Sequence, residues 1–97
     1  MTLHTVNQLP DHPDCQRCIG QLTPADAVVL LGRGVWIANI DAAWHLAWER
    51  SGAALYVLED DLVARGLAGL CIPSVSALDM PGFVALSEQH RCQRAWF

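Results

Sequence analysis

Leu55-Tyr56-Val57-Leu58-Glu59-Asp60-Asp61-Leu62-Val63-Ala64-Arg65-Gly66-Leu67 is the stretch that decides the fold of this 97-residue chain. It opens as an apolar run of strand length, from Ala54 to Leu58, and turns acidic. It continues as a short amphipathic helix over Asp60–Arg65, which Gly66 closes. Carboxylates favour a helix's first turn, where they meet free N–H groups and the positive end of the dipole. Glu59, Asp60 and Asp61 therefore read first as a helix start and only second as metal ligands or an acid–base pair. The same order recurs downstream. Val75–Leu78 is a strand, Asp79 caps the turn, and Pro81 opens a helix to about His90. Strand–acid–helix units build a parallel α/β sheet and present its carboxyl edge.

Upstream the alternation continues. Leu3–Val6 predicts a short first strand. Pro10 and Pro13 break the chain, and Pro13 suits the first turn of a helix whose Cys15, Cys18, Ile19 and Leu22 share one face. Ala27–Leu31 is apolar throughout, as in a strand buried on both sides, and Gly32-Arg33-Gly34 stops it. A helix is expected from near Asp41, with Trp44, Ala47 and Trp48 on one face and Gly52 as its stop. Ala95–Phe97 predicts a short edge strand. Right-handed crossovers then give a three-layer α/β/α sandwich with a mainly parallel sheet of four to five strands, in one domain spanning residues 1–97.

Composition narrows the function. The AVILMFWYC set makes up 53% of the chain, and four Trp sit in only 97 residues. A domain of this size buries only about 60–65% of the surface its unfolded chain exposes, so part of this apolar surface is expected at a subunit interface. The net charge is −4, Lys is absent, and the six Arg are scattered. Direct nucleic-acid binding calls for a basic stripe to neutralise phosphates, and none is visible. No run reaches the roughly 20 apolar residues that span a bilayer. The first residues lack the basic and apolar regions of a signal peptide. A cytoplasmic chain is expected, with its four cysteines as thiols.

Cys15-Gln16-Arg17-Cys18 is the one pair with the spacing of redox or zinc chemistry. A helix N-terminus and Arg17 would favour a thiolate. A zinc site would draw on Cys71, Cys92, His12 or His90, but there is no second C-x-x-C. Free Cys is also among the most buried residue types, so both thiols read first as small core hydrophobes beside Ile19 and Leu22 and only second as a redox pair or zinc ligands. No Ser lies in a nucleophile-elbow context, and Gly32-Arg33-Gly34 is too short for a phosphate loop. No cofactor and no metal are expected.

Leu3-His4-Thr5-Val6-Asn7, the 55–67 stretch, Leu78-Asp79-Met80-Pro81-Gly82-Phe83-Val84-Ala85-Leu86, His90 and the closing Arg94-Ala95-Trp96-Phe97 together resemble the TusB/DsrH family of sulfur-relay subunits, in order and across almost the whole chain. The resemblance implies the same architecture and marks His4, Asp61, Arg65, Gly66, Asp79, Gly82, Phe83 and Trp96 as signature positions, with Arg65 expected to pair with one of the nearby acids. It places Cys18 where DsrH-type members carry a cysteine, a candidate persulfide contact. Cys15 is an addition to the pattern, Arg33 stands where members commonly have an acid, and Met80 replaces a common aromatic.

The resemblance implies an accessory subunit of a sulfurtransferase complex, a heterohexamer with TusC/DsrF-like and TusD/DsrE-like subunits. The main sulfur-carrying cysteine would lie on a sister subunit, and sulfur carrier proteins would bind transiently. The sulfur would end in thiolated wobble uridine of tRNA or, in the Dsr form, move during sulfur oxidation. Two rivals are a stand-alone homo-oligomeric binding module of the same fold and a small thiol redox protein using Cys15 and Cys18.

Overall fold

A computed structural model describes residues 1–97. Five strands form one all-parallel sheet: β1 Thr2–Val6, β2 Ala27–Leu30, β3 Ala54–Leu58, β4 Val75–Leu78 and β5 Cys92–Trp96, in the order β4-β3-β2-β1-β5. The helices are α1 Pro13–Gln21, α2 His45–Arg50, α3 Glu59–Ala64 and α4 Met80–Glu88. The expected α/β sandwich is present.

The apolar run in β2 lies at the middle of the sheet, and all four of its residues are buried. Parallel strands covered on both faces are continuously apolar for this reason. The chain winds from β1 to β4 in one direction, then returns past the whole sheet to place β5 beside β1. The reversal in strand order therefore falls between β1 and β5.

The register divides the side chains between two faces. One face carries Val6, Val28, Leu30, Leu55, Val57 and Trp96, packed with Cys15 and Cys18 of α1, Trp48 of α2 and Leu62 of α3. The other carries Leu3, Ala27 and Val29 and meets Leu86 of α4, with Tyr56, Leu78 and Phe83 partly buried around them. Three helices cover the first face and one nine-residue helix crosses the second.

Two elements differ from expectation. The helix expected from Asp41 starts at His45. Before it lies a 3₁₀ segment, Gly32–Ala38, which buries Val35, Ile37 and Ala38. Asp41 caps nothing, and its own N–H donates to Asn39 Oδ1 at 3.0 Å. Glycine at residue 34 allows the detour, because a Cβ there would stand 2.2 Å from the Val6 carbonyl oxygen. The closing strand is longer than Ala95–Phe97. It begins at Cys92 because the chain already pairs with β1 from Thr2 onward.

Candidate functional site

Cys15 and Cys18 lie on the inner face of α1, and both are fully buried. The Cys15 thiol donates to the Leu9 carbonyl at 3.3 Å. Burial, aided by the nearby Asp14 and Asp11 carboxylates, pushes this thiol up to about 11. Burial and then Cys15 push the Cys18 thiol up to about 12, against the lowering effect of Arg94. The thiolate-favouring setting expected for Cys18 is therefore corrected. Arg17 turns away to pair with Asp14 at 2.8 Å on the exposed side of α1. Cys18 sits in the helix body with apolar neighbours, where a charged sulfur is disfavoured.

Beside these thiols is a polar network with one fully resolved direction of donation. His4 of β1 is 2% exposed, Trp96 of β5 is 6% exposed, and Asp26 just before β2 is 7% exposed. The Trp96 indole N–H donates to His4 Nδ1 at 3.1 Å. An indole only donates, so Nδ1 carries no proton and the neutral ring holds its proton on Nε2. That nitrogen faces Asp26 Oδ2 at 3.7 Å, beyond hydrogen-bonding range, and finds no other partner.

Burial lowers the His4 pKa, with Asp26 opposing and Arg94 assisting. For Asp26, burial would raise the pKa, but the N–H groups of Thr2 at 2.8 Å and Thr23 at 3.0 Å hold it below its ordinary value. Arg94 lies over the Trp96 ring at 4.4 Å and donates to Gln21 at 3.2 Å. This network ties β5, the last strand, to β1 and to the start of β2.

Asp61, Arg65 and Gly66 form a second group, at the carboxyl edge. Asp61 Oδ2 accepts the Gly32 N–H at 2.7 Å, and Asn7 Oδ1 accepts the Arg33 N–H at 2.9 Å. The segments that follow β1, β2 and β3 are thus laced together. Arg65 pairs with no carboxylate. Its guanidinium reaches the Asp61 backbone carbonyl at 3.5 Å, which corrects the expected ion pair. Gly66 has φ +70° and ends α3. The Leu67 N–H bonds to Leu62 O and the Gly66 N–H to Val63 O, the pattern in which a left-handed residue closes a helix.

Asp79, Gly82 and Phe83 form the third group. The Asp79 carboxylate caps α4 by accepting the Gly82 N–H at 2.8 Å. A Cβ on Gly82 would stand 2.9 Å from that carboxylate oxygen, so glycine keeps the cap close. Phe83, partly buried, packs against the smaller core.

The signature positions therefore divide into a buried strand tie, a laced carboxyl edge and a helix cap. The structure does not gather them into one reactive centre. No group of three or more His, Cys, Asp or Glu side chains could hold a metal ion. Sequence reading missed Asp26 and the part played by Asn7. Their signals are short: Thr23-Pro24-Ala25-Asp26 is a turn in which the Asp side chain binds the Thr23 N–H, and Asn7 directly follows a strand at the carboxyl edge.

Comparison with known proteins places this geometry. The family described as DsrH like protein matches residues 10–93. Protein TusB of Klebsiella pneumoniae subsp. pneumoniae is 37% identical over 94 residues, covering 97% of this chain and 99% of the relative. Protein TusB of Yersinia pestis (strain Pestoides F) is 34% identical with the same coverage. A solved structure of a Methanobacterium thermoautotrophicum protein of unknown function superposes with a TM-score of 0.71 at 12% identity, over 97% of this chain and 96% of that one; it shares the fold. No helix is long and apolar enough to cross a membrane. On the match across residues 10–93 and the end-to-end alignment with the TusB relatives, the chain belongs to the DsrH-like family.

Proposed function

We propose that this chain is a docking and structural subunit of a cytoplasmic sulfur-relay complex, and that the sulfur-carrying cysteine belongs to a sister subunit. The observation that carries the reading is the pairing of family membership with the burial of both helix cysteines. A relay nucleophile needs a reachable sulfur and an accessible thiolate, and Cys18 has neither in this chain, with its thiol at about 12. The same burial disfavours the redox reading of Cys15 and Cys18. The sister subunits are of the TusC/DsrF and TusD/DsrE kinds, in a heterohexamer. The two relatives compared both bear the name TusB, which favours delivery toward wobble-uridine thiolation over the sulfur-oxidation form.

Co-expression with those two chains, followed by labelled-sulfur transfer from a persulfidated carrier, tests the proposal. Assembly into one complex, with label on a sister subunit and none on this chain, is expected. A monodisperse homo-oligomer that ignores both sister chains would refute it in favour of the stand-alone module.

A further inference from the structure

The two edges of the sheet are unlike. On β5, Arg94 rests over Trp96 and binds Gln21, and charged side chains on an edge discourage added strands. The opposite edge, β4, is Val75-Ser76-Ala77-Leu78. It carries no charge, no proline and no bulge, and Ser76 and Ala77 are exposed. Apart from pairing with β3 and one turn bond from the Val75 N–H to Ile72 O, the backbone of β4 has no partner in the chain.

Beneath this bare edge runs an apolar groove of about 190 Å³. Val57, Val75 and Ala77 of the sheet and Leu62 and Val63 of α3 line it. Val63 is 60% exposed. A cavity of about 150 Å³ with apolar walls holds a benzene ring, so the groove has room for a branched or aromatic side chain. Glu59, itself exposed, is the one charged residue lining it. Valine at residue 75 and alanine at residue 77 alternate toward the groove, so a strand added to β4 would direct every second side chain into it.

We propose that the free edge of β4 receives an extended segment of a sister subunit, which seats an apolar side chain in the groove and presents a basic one to Glu59. The inference rests on the relay-subunit reading and names the surface by which that subunit docks. A second copy of this chain fits less well. Its β4 has no basic residue to answer Glu59, and the Arg94 of its β5 is already held by Trp96 and Gln21.

The test is amide hydrogen exchange and assembly affinity, measured on the full chain alone and in the co-expressed complex. On assembly, amides of residues 75–78 are expected to slow by at least about tenfold. Ala77→Arg, which fills the groove and charges the edge, is expected to weaken assembly by at least about tenfold, and Glu59→Lys by about threefold or more. If Ala77→Arg does not fold by circular dichroism, Glu59→Lys and the exchange data decide. A wild-type complex that leaves β4 unprotected, or that tolerates both variants, overturns this inference alone. Absence of any complex overturns the relay-subunit reading and this occupant together. Concentration-dependent protection of β4 in the isolated chain would assign the edge to a second copy and overturn it as well.

Discussion

Trp96→Phe should expose how the last strand is held. The substitution keeps an aromatic ring under Arg94 and removes only the indole N–H and part of the ring. In the native chain that N–H satisfies His4 Nδ1 at 3.1 Å, while His4 Nε2 already lacks a partner. The variant leaves a nearly fully buried imidazole with no hydrogen bond. An unsatisfied buried polar group costs about 1–3 kcal/mol. In a domain of this size, about 2 kcal/mol lowers Tm by roughly 8–16 °C.

A double-mutant cycle with His4→Leu should give a coupling of about 1 kcal/mol or more, since the two side chains share one bond. The pH dependence carries a second signature. The His4 pKa is lowered by folding from its ordinary 6.5, so the unfolded chain binds the proton first, and stability falls as pH drops below about 6.5. Asp26 is also lowered from 3.8; its stabilisation is present above that value and is lost as pH falls below it. Protonating His4 in the native chain would set an Nδ1–H against the indole N–H, two donors facing each other. Trp96→Phe removes that conflict, so the loss below pH 6.5 should be shallower in the variant. Urea midpoints across that range, with nitrogen chemical shifts reporting the His4 tautomer, measure both effects. A Tm drop under about 2 °C, with no coupling and an unchanged pH slope, would refute the reasoning.

Three further outcomes follow from the same geometry. Cys18→Ser should cost about 1–3 kcal/mol, read as a Tm shift, because its hydroxyl enters a dry site; sulfur transfer through the assembled complex should be unchanged, and complete loss would make this chain catalytic. Asp79→Ala should cost about 1 kcal/mol by removing the acceptor for the Gly82 N–H, while Asp79→Asn, an equally good cap, should restore most of it in thermal melts. Gly34→Ala should destabilise by at least about 2 kcal/mol in urea titration, because its Cβ would meet backbone, the Val6 carbonyl oxygen at 2.2 Å, and not a movable side chain.

What the sequence made legible was whatever rests on local rules. The continuously apolar run Ala27–Leu31, the acidic start of α3 with Gly66 behind it, and Asp79 before Pro81 are each short local signals, and each appears in place. The segment 32–44 was not legible. Its 3₁₀ course depends on the close approach of Gly34 to Val6, a contact 28 positions away, and no local propensity encodes it. The pattern Trp44-Ala47-Trp48 suggested one helical face, yet Trp48 is 2% exposed and Trp44 is 48% exposed, because the helix starts only at His45. Cys18 shows the same limit. Nearness to Arg17 in sequence suggested a positive neighbour, but a helix turns that residue outward to Asp14, and the charge that does face Cys18 comes from Arg94, on a strand 76 positions away.

The apolar excess in the composition is divided between the core and the surface. Three helices and the 3₁₀ segment enclose one face, and its core takes in Trp48 and Trp96. The other two tryptophans, Trp36 and Trp44, remain 37% and 48% exposed, with Ile40 and Leu46 also exposed in the same stretch of chain. The Ile40 N–H bonds to Leu70 O at 2.8 Å, and Asn39 bridges to Cys71, so this stretch continues toward the loop that borders the β4 groove. Part of the apolar surface thus remains outside the core in the stretch that runs from the 3₁₀ segment toward the bare β4 edge. Scattered exposed apolar residues are ordinary, but adjacent ones beside a free strand edge are where a soluble protein would aggregate unless something covers them. On the proposed docking reading, the uncharged β4 edge and the apolar stretch leading to it are the surface that a sister subunit would cover.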